Sequence, residues 1–325
     1  MTFEVYVWPA QWGLPSMDAT CLSLIIYLQI AFPSQFTLVE TINPDLSPSG
    51  QLPFIRHETE TVASFSSILS YLRDSVGTSS IHASKTGDAA WLAHAESNLG
   101  NLVLHMFFSL HANWAELVHP SIVYRFPIPQ RYYAPLRLQE SYKSRLEAAG
   151  LWSLPGIEQE REKKKSFLKD PRAPEEEIKP KDRFLQVFER EKVLDKARTT
   201  LDLYARLLGS YNFFNGDRPS LLDAVVAAHI LLLLRPPFPD PLLQDLVNNS
   251  YPSLCAHANR TYDQTLSTPL PARTQSVSSS LQSLIPPDWR GEQGDVWVTR
   301  LRFAFAGLTL GGMFTYMTAR SRLLR

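Results

Sequence analysis

The chain has 325 residues, enough for one large or two modest domains, each able to bury its own core. Its 32 lysines and arginines balance 32 aspartates and glutamates, which excludes the global basic field that nucleic-acid binding uses. The two cysteines, Cys21 and Cys255, form no CxxC pair, a usage that suits a reducing compartment and argues against a disulfide scaffold.

The first residues, MTFEVYVWPA, lack the basic and apolar regions of a secretory signal and the Arg-rich pattern of a transit peptide. Phe3, Val5 and Val7 alternate with Glu4 and Tyr6, predicting a strand. A turn over 9–15 follows, with Ser16 expected as helix N-cap and Asp18 in the first turn, where an acid suits the helix dipole. The helix predicted over 17–31 is apolar nearly all round, as a helix between two packed layers must be. A second strand is expected over 36–40, a Pro- and Ser-rich loop over 43–50, a hairpin from 52–56 and 61–63, and a helix over 66–73. This βαβ…ββα order within 1–77 is the layout of a thioredoxin-like domain.

After a Ser/Thr/Gly-rich linker at 76–87, an all-helical domain is expected over 88–264. Trp91, Leu92, Ala95, Leu99, Leu102, Val103, Met106 and Phe107 form one apolar stripe and predict a single long helix over 88–118. Further helices are predicted over 130–149, 184–208, 221–234 and 241–262. The stretch at about 153–182 is densely charged and reads as a solvated insert, or as a docking surface for a charged partner. Residues 265–299 read as a Ser/Pro-rich linker.

Residues 300–325 read as a membrane anchor. Phe303 to Ala319 carries no charge, with Arg300 and Arg302 before it and Arg320, Arg322 and Arg325 after it. At a rise of about 1.5 Å per residue such a helix spans roughly 26 Å, enough for a thin bilayer core, while the arginines reach the headgroups. Gly307, Gly311 and Gly312 add small residues, with a GxxxG pair, that would let another membrane element approach closely. A chain anchored this way enters its membrane after translation, through its tail.

Chemistry is harder to find. The eight histidines are scattered, without HExxH or metal-ligand spacing, and no Walker loop, GxGxxG or nucleophile elbow occurs. No catalytic, cofactor-binding or metal residue is therefore assigned, and no cofactor is expected. A thioredoxin-like domain followed by a helical one resembles the glutathione transferases. Ser220-Leu221-Leu222-Asp223 matches the capping box that opens a core helix of that family, and Gly50 to Phe54 resembles its turn into a cis-proline at Pro53. The resemblance fails where the thiol substrate would bind. An acidic or amide residue followed by serine holds glutathione in the family, whereas Ser64 and Phe65 stand here. Ser16 is better placed to cap a helix than to activate a thiol.

Trp12-Gly13-Leu14-Pro15-Ser16-Met17-Asp18, Asn43-Pro44, and Ser47 to Pro53 together resemble the metaxins of the mitochondrial outer membrane. So do Phe213 to Ala224 and Tyr251 to Cys255. The tail suggests the tail-anchored fungal member of the sorting and assembly machinery. The resemblance implies a glutathione-transferase-like fold, α+β then all-α, ending in a transmembrane helix. It implies a non-enzymatic subunit whose body faces the cytosol and caps a membrane β-barrel insertase. The implied partners are that insertase, a second metaxin-like subunit, β-barrel precursors and the outer-membrane import translocase. The alternative is a membrane-anchored glutathione transferase or thiol enzyme.

Overall fold

The computed structural model describes residues 3–76, 88–126, 130–152, 180–216, 218–266 and 273–275. Strands β1 (Phe3–Val7) and β2 (Phe36–Glu40) run parallel, joined by helix α1 (Ala19–Ala31), with Phe3 beside Phe36 and Val7 beside Glu40. Strand β3 (Phe54–His57) pairs antiparallel to β1 and forms a hairpin with β4 (Glu60–Ala63), after which α2 (Phe65–Val76) closes the domain. Val5, Val7, Leu38, Phe54 and Ile55 have no exposed surface, as expected when both faces of a sheet are covered.

A fifth strand, β5 (Arg273–Gln275), pairs parallel to the free side of β2, giving the order β4-β3-β1-β2-β5. It lies in the stretch read from composition as linker, whose Ser, Pro and Thr content carries no strand periodicity.

The helical region begins with α3, residues 88–109, in which α-helical turns alternate with the wider turns of Ala95–Leu99 and His105–Ser109. The single helix predicted over 88–118 is in fact two. Leu110 adopts an extended conformation (φ −75°, ψ 115°), and α4 starts again over 111–123. Asn113 explains the break. Its side-chain amide donates to the carbonyls of Met106 and Asp240, and its oxygen accepts from the Asp240 backbone N–H. The bond to Met106 satisfies a carbonyl that a continuous helix would have paired internally, and the bonds to Asp240 satisfy both backbone groups of a remote loop residue.

Then follow α5 (Ala134–Ala148), entered through a tight turn at Gln130–Tyr132, α6 (Pro180–Leu208) and α7 (Leu221–Leu234). The helix predicted over 241–262 is also two, α8 (Leu242–Ser250) and α9 (Pro252–Leu266), because Pro252 lacks the N–H to continue α8 but suits a first helical turn.

Helices α1 and α7 hold the body together. Every residue from Cys21 to Leu28 is buried in α1, and every residue from Leu222 to Leu233 in α7. Neither helix has a polar face, so each is stable only inside, and the two pack against each other with α9 alongside. The result is a glutathione-transferase-like fold, a thioredoxin-like sheet domain joined to a helical one. Among the described residues no helix is long and apolar enough to cross a membrane. The charged insert at about 153–182 lies almost wholly outside them, and the anchor at 300–325, with Phe303, Gly307, Gly311, Gly312 and Ala319, lies entirely outside.

Candidate functional site

In this fold thiol chemistry would sit where β1 runs into α1, beside the cis-proline and the start of α2. The loop after β1 reverses at Gln11–Leu14, whose backbone groups bond each other in both directions at 3.1 and 2.8 Å. Trp12 (φ +51°) and Gly13 (φ +75°) both take left-handed conformations there, which makes a two-residue turn of the I′ kind. Glycine adopts this freely, but tryptophan must be held. Its ring meets Phe107 edge-on at 5.3 Å, the Tyr262 hydroxyl donates to the Gly13 carbonyl, and Arg125 donates to Ala10 O and Gln11 Oε1. Trp12, Gly13, Leu14 and Pro15 thus form a clasp between the loop and the helical domain. They also line one wall of a cleft of about 480 Å³ whose other wall is Tyr262 and Leu266. None of these lining residues is an acid, a histidine, a cysteine or a lysine.

Ser16 is buried, and its hydroxyl accepts from the Asp18 N–H. It is not the helix cap. The helix starts at Ala19, two residues later than predicted, and Asp18 caps it by accepting from the Cys21 N–H at 2.9 Å. Burial is the larger cause that pushes the Cys21 thiol well up, with the Asp18 carboxylate adding to it. A thiol so held stays protonated and is a poor nucleophile.

The Leu52–Pro53 bond is cis, with Phe54 stacked on Tyr6 at 4.2 Å. Ser64 has φ +77°, a strained conformation for serine, and its hydroxyl lies 3.2 Å from that of Ser66. Phe65, first residue of α2, is turned into the core at 8% exposure. A glutathione carboxylate approaching this corner would meet no side-chain donor from Phe65.

Ser220 and Asp223 form the predicted capping box at the start of α7. The structure adds His257, which sequence reading missed. Asp223 Oδ2 accepts from the Ser220 N–H and hydroxyl at 2.8 and 2.6 Å, while Oδ1 accepts from the Phe214 N–H and His257 Nε2 at 2.9 and 2.8 Å. Serine, aspartate and histidine therefore meet, but in the wrong order for hydrolysis. In a catalytic triad the histidine stands between serine and aspartate and takes the serine proton. Here the carboxylate stands between, both side chains of Asp223 and His257 are fully buried, and Phe213 and Phe214 pack on the imidazole. The signal that could have revealed His257 is Asp223 itself, a core acid with four lone-pair sites to fill. Among the described residues no group of three or more His, Cys, Asp or Glu is placed to hold a metal.

Residues 21–139, from α1 into α5, match the Tom37 family, described as outer mitochondrial membrane transport complex protein. Residues 197–261, from α6 to α9, match the C-terminal domain of glutathione S-transferase. Metaxin-1 of Macaca fascicularis is 28% identical over 258 residues, 78% of this chain and 72% of that protein. Metaxin-3 of Danio rerio is 26% identical over 260 residues, 79% and 73% of the two. Over most of its length this chain is similar, at low identity, to the metaxins. A glutathione S-transferase of Ceriporiopsis subvermispora, solved in complex with glutathione, is 14% identical with a TM-score of 0.48, over 82% of this chain and 96% of that one.

Proposed function

We propose that this chain is a non-enzymatic subunit of the sorting and assembly machinery of the mitochondrial outer membrane. Its body would cap a membrane β-barrel insertase on the cytosolic side and support insertion, folding and release of β-barrel precursors. The observation that carries this reading is the likeness to Metaxin-1 over 258 residues, joined to the family match over 21–139. The corner that would serve a transferase supports it. Phe65 is buried there, Cys21 is held protonated, and the adjoining cleft is lined by no acid, histidine, cysteine or lysine. Stripped of thiol chemistry, such a fold works through its surface. A second metaxin-like subunit and the import translocase are the further partners of this reading.

Phe303 to Ala319 would be its span, with Gly307, Gly311 and Gly312 on a packing face. A fungal tail-anchored member is the specific form proposed. Confinement to the bilayer would raise the body's effective concentration at any membrane partner. Import of a radiolabelled porin and of a helical tail-anchored control into mitochondria depleted of this chain, followed on native gels, tests the function. The porin should stall before or on the assembly complex while the control proceeds; normal porin assembly would sink the proposal. Titration with millimolar glutathione in a calorimeter should give no saturable heat, and binding with turnover of a model electrophile would restore the transferase alternative.

A further inference from the structure

Most large apolar side chains of the described residues are buried, and seven are more than half exposed. Four of the seven fall within thirteen residues at one end of a helix pair: Tyr124 (78%), Tyr132 (72%), Tyr133 (51%) and Leu136 (53%). Tyr124 follows the last turn of α4, Tyr132 and Tyr133 lead into α5, and those two helices pack together. The four therefore share an edge of the helical domain. Tyr124 follows the end of α4, and the other three stand at the entry to α5 and in its first turn.

The charge there is one-sided. No aspartate or glutamate occurs between Glu116 and Glu140, whereas Arg131 and Arg137 lie among the tyrosines. Arg137 is exposed without an ion pair among the described residues, and Arg131 Nε is shielded from water without a hydrogen-bond partner. Among the described residues neither guanidinium group takes part in an ion pair. Tyrosine, with an apolar ring and a polar hydroxyl, favours the headgroup level of a bilayer, and arginine answers lipid phosphates there while its stem covers apolar surface. Glu140, one turn beyond Leu136 and Arg137, is answered by Lys143 at 3.6 Å, so the edge keeps a positive excess and is attracted to an anionic leaflet.

We propose that this edge of the helical domain rests on an anionic lipid surface, with the tyrosines at headgroup level and Arg131 and Arg137 on phosphates. The contact goes beyond the proposed anchor and is made by the body itself, so it can be tested apart from it. A polarity-sensitive fluorophore is attached to the full chain carrying Cys255→Ser and Tyr132→Cys, which is then reconstituted into phosphatidylcholine vesicles with or without phosphatidylserine. Ser70→Cys, on the exposed side of α2, provides the comparison probe.

With brominated lipids, emission at 132 should shift to the blue and be largely quenched in anionic vesicles, while the probe at 70 is not. The joint Arg131→Gln and Arg137→Gln variant should lose that quenching yet still float with the vesicles. Flotation without quenching at 132 overturns the lipid contact and leaves the anchor standing. Binding that salt removes, with quenching at 132, supports the contact and removes the anchor. No flotation on either membrane overturns both. Equal quenching at 132 and 70 overturns the contact, as does a photo-crosslinker at 132 that joins a protein of mitochondrial membranes and no lipid.

Discussion

Asp223 concentrates more structural work than any other polar residue described. Its two oxygens take donors from Ser220, Phe214 and His257, so removing the carboxylate strands several buried groups at once. Each unsatisfied buried donor costs about 1–3 kcal/mol, and Asp223→Ala should destabilise the fold by on the order of 3 kcal/mol or more. Ser220→Ala, which leaves the His257 contact intact, should cost ~0.5–2 kcal/mol. Urea unfolding of the two variants measures both, and equal losses would mean that the histidine contributes nothing. Two other buried imidazoles make stability depend on pH. Burial holds His105 and His229 at about 4, against an ordinary 6.5, while each donates Nδ1–H to a backbone carbonyl, of Leu151 and Val225. The unfolded chain then binds more protons than the folded one between those values. Their contribution is complete above pH 6.5 and lost as the pH falls toward 4, on the order of 3 kcal/mol each at the limit. Asp18, raised chiefly by burial, acts in the opposite sense in the acid range and softens the fall. A urea midpoint that does not move between about pH 7 and 5 would contradict this account.

At the scale of elements, α1, α7 and the first four strands could be read from the chain because short-range pattern determines them. Period-two alternation marks β1, the all-round apolar run marks α7, and Ser220 with Asp223 marks where α7 begins. What could not be read depends on contacts remote in sequence. The break at Leu110 is stabilised by Asn113 meeting Asp240, 127 residues away, and His257 reaches Asp223 across 34. The shift of the α1 cap from Ser16 to Asp18 is a smaller matter of register, since both are good capping residues. At the candidate site the sequence showed the misfit at Phe65 but not the burial of Cys21, which needs three dimensions. The turn at Trp12 and Gly13 gives a direct test of the clasp. A Cβ at Gly13 meets nothing within 4 Å, so Gly13→Ala suffers from backbone conformation alone, about 1–2 kcal/mol. Trp12→Ala adds no such strain, since position 12 already carries a Cβ in that conformation, but it should cost more because it removes the ring from Phe107. Thermal melts ranking the glycine variant below the tryptophan variant in stability would mean that the clasp is not held by its aromatic contact.

At the scale of the whole molecule, β5 is the element whose loss is most easily isolated. Deleting residues 267–276 leaves the rest of the chain in place but uncovers the backbone groups of β2 along Leu38 to Glu40. An uncovered strand edge is a template for other strands. The deletion should lower the melting temperature and increase self-association seen by light scattering, and unchanged behaviour in both would show that the edge needs no cover. The placement of β5 also bears on when the sheet domain can finish folding. Chains fold from the N-terminus as they leave the ribosome, and β1, α1 and β2 emerge first. Among the described residues the last strand of their sheet is Arg273–Gln275, which follows all of the described helices. During synthesis of the helical domain the β2 edge stands open, available to chaperones and to other nascent strands, and the first domain to be made is the last to be completed.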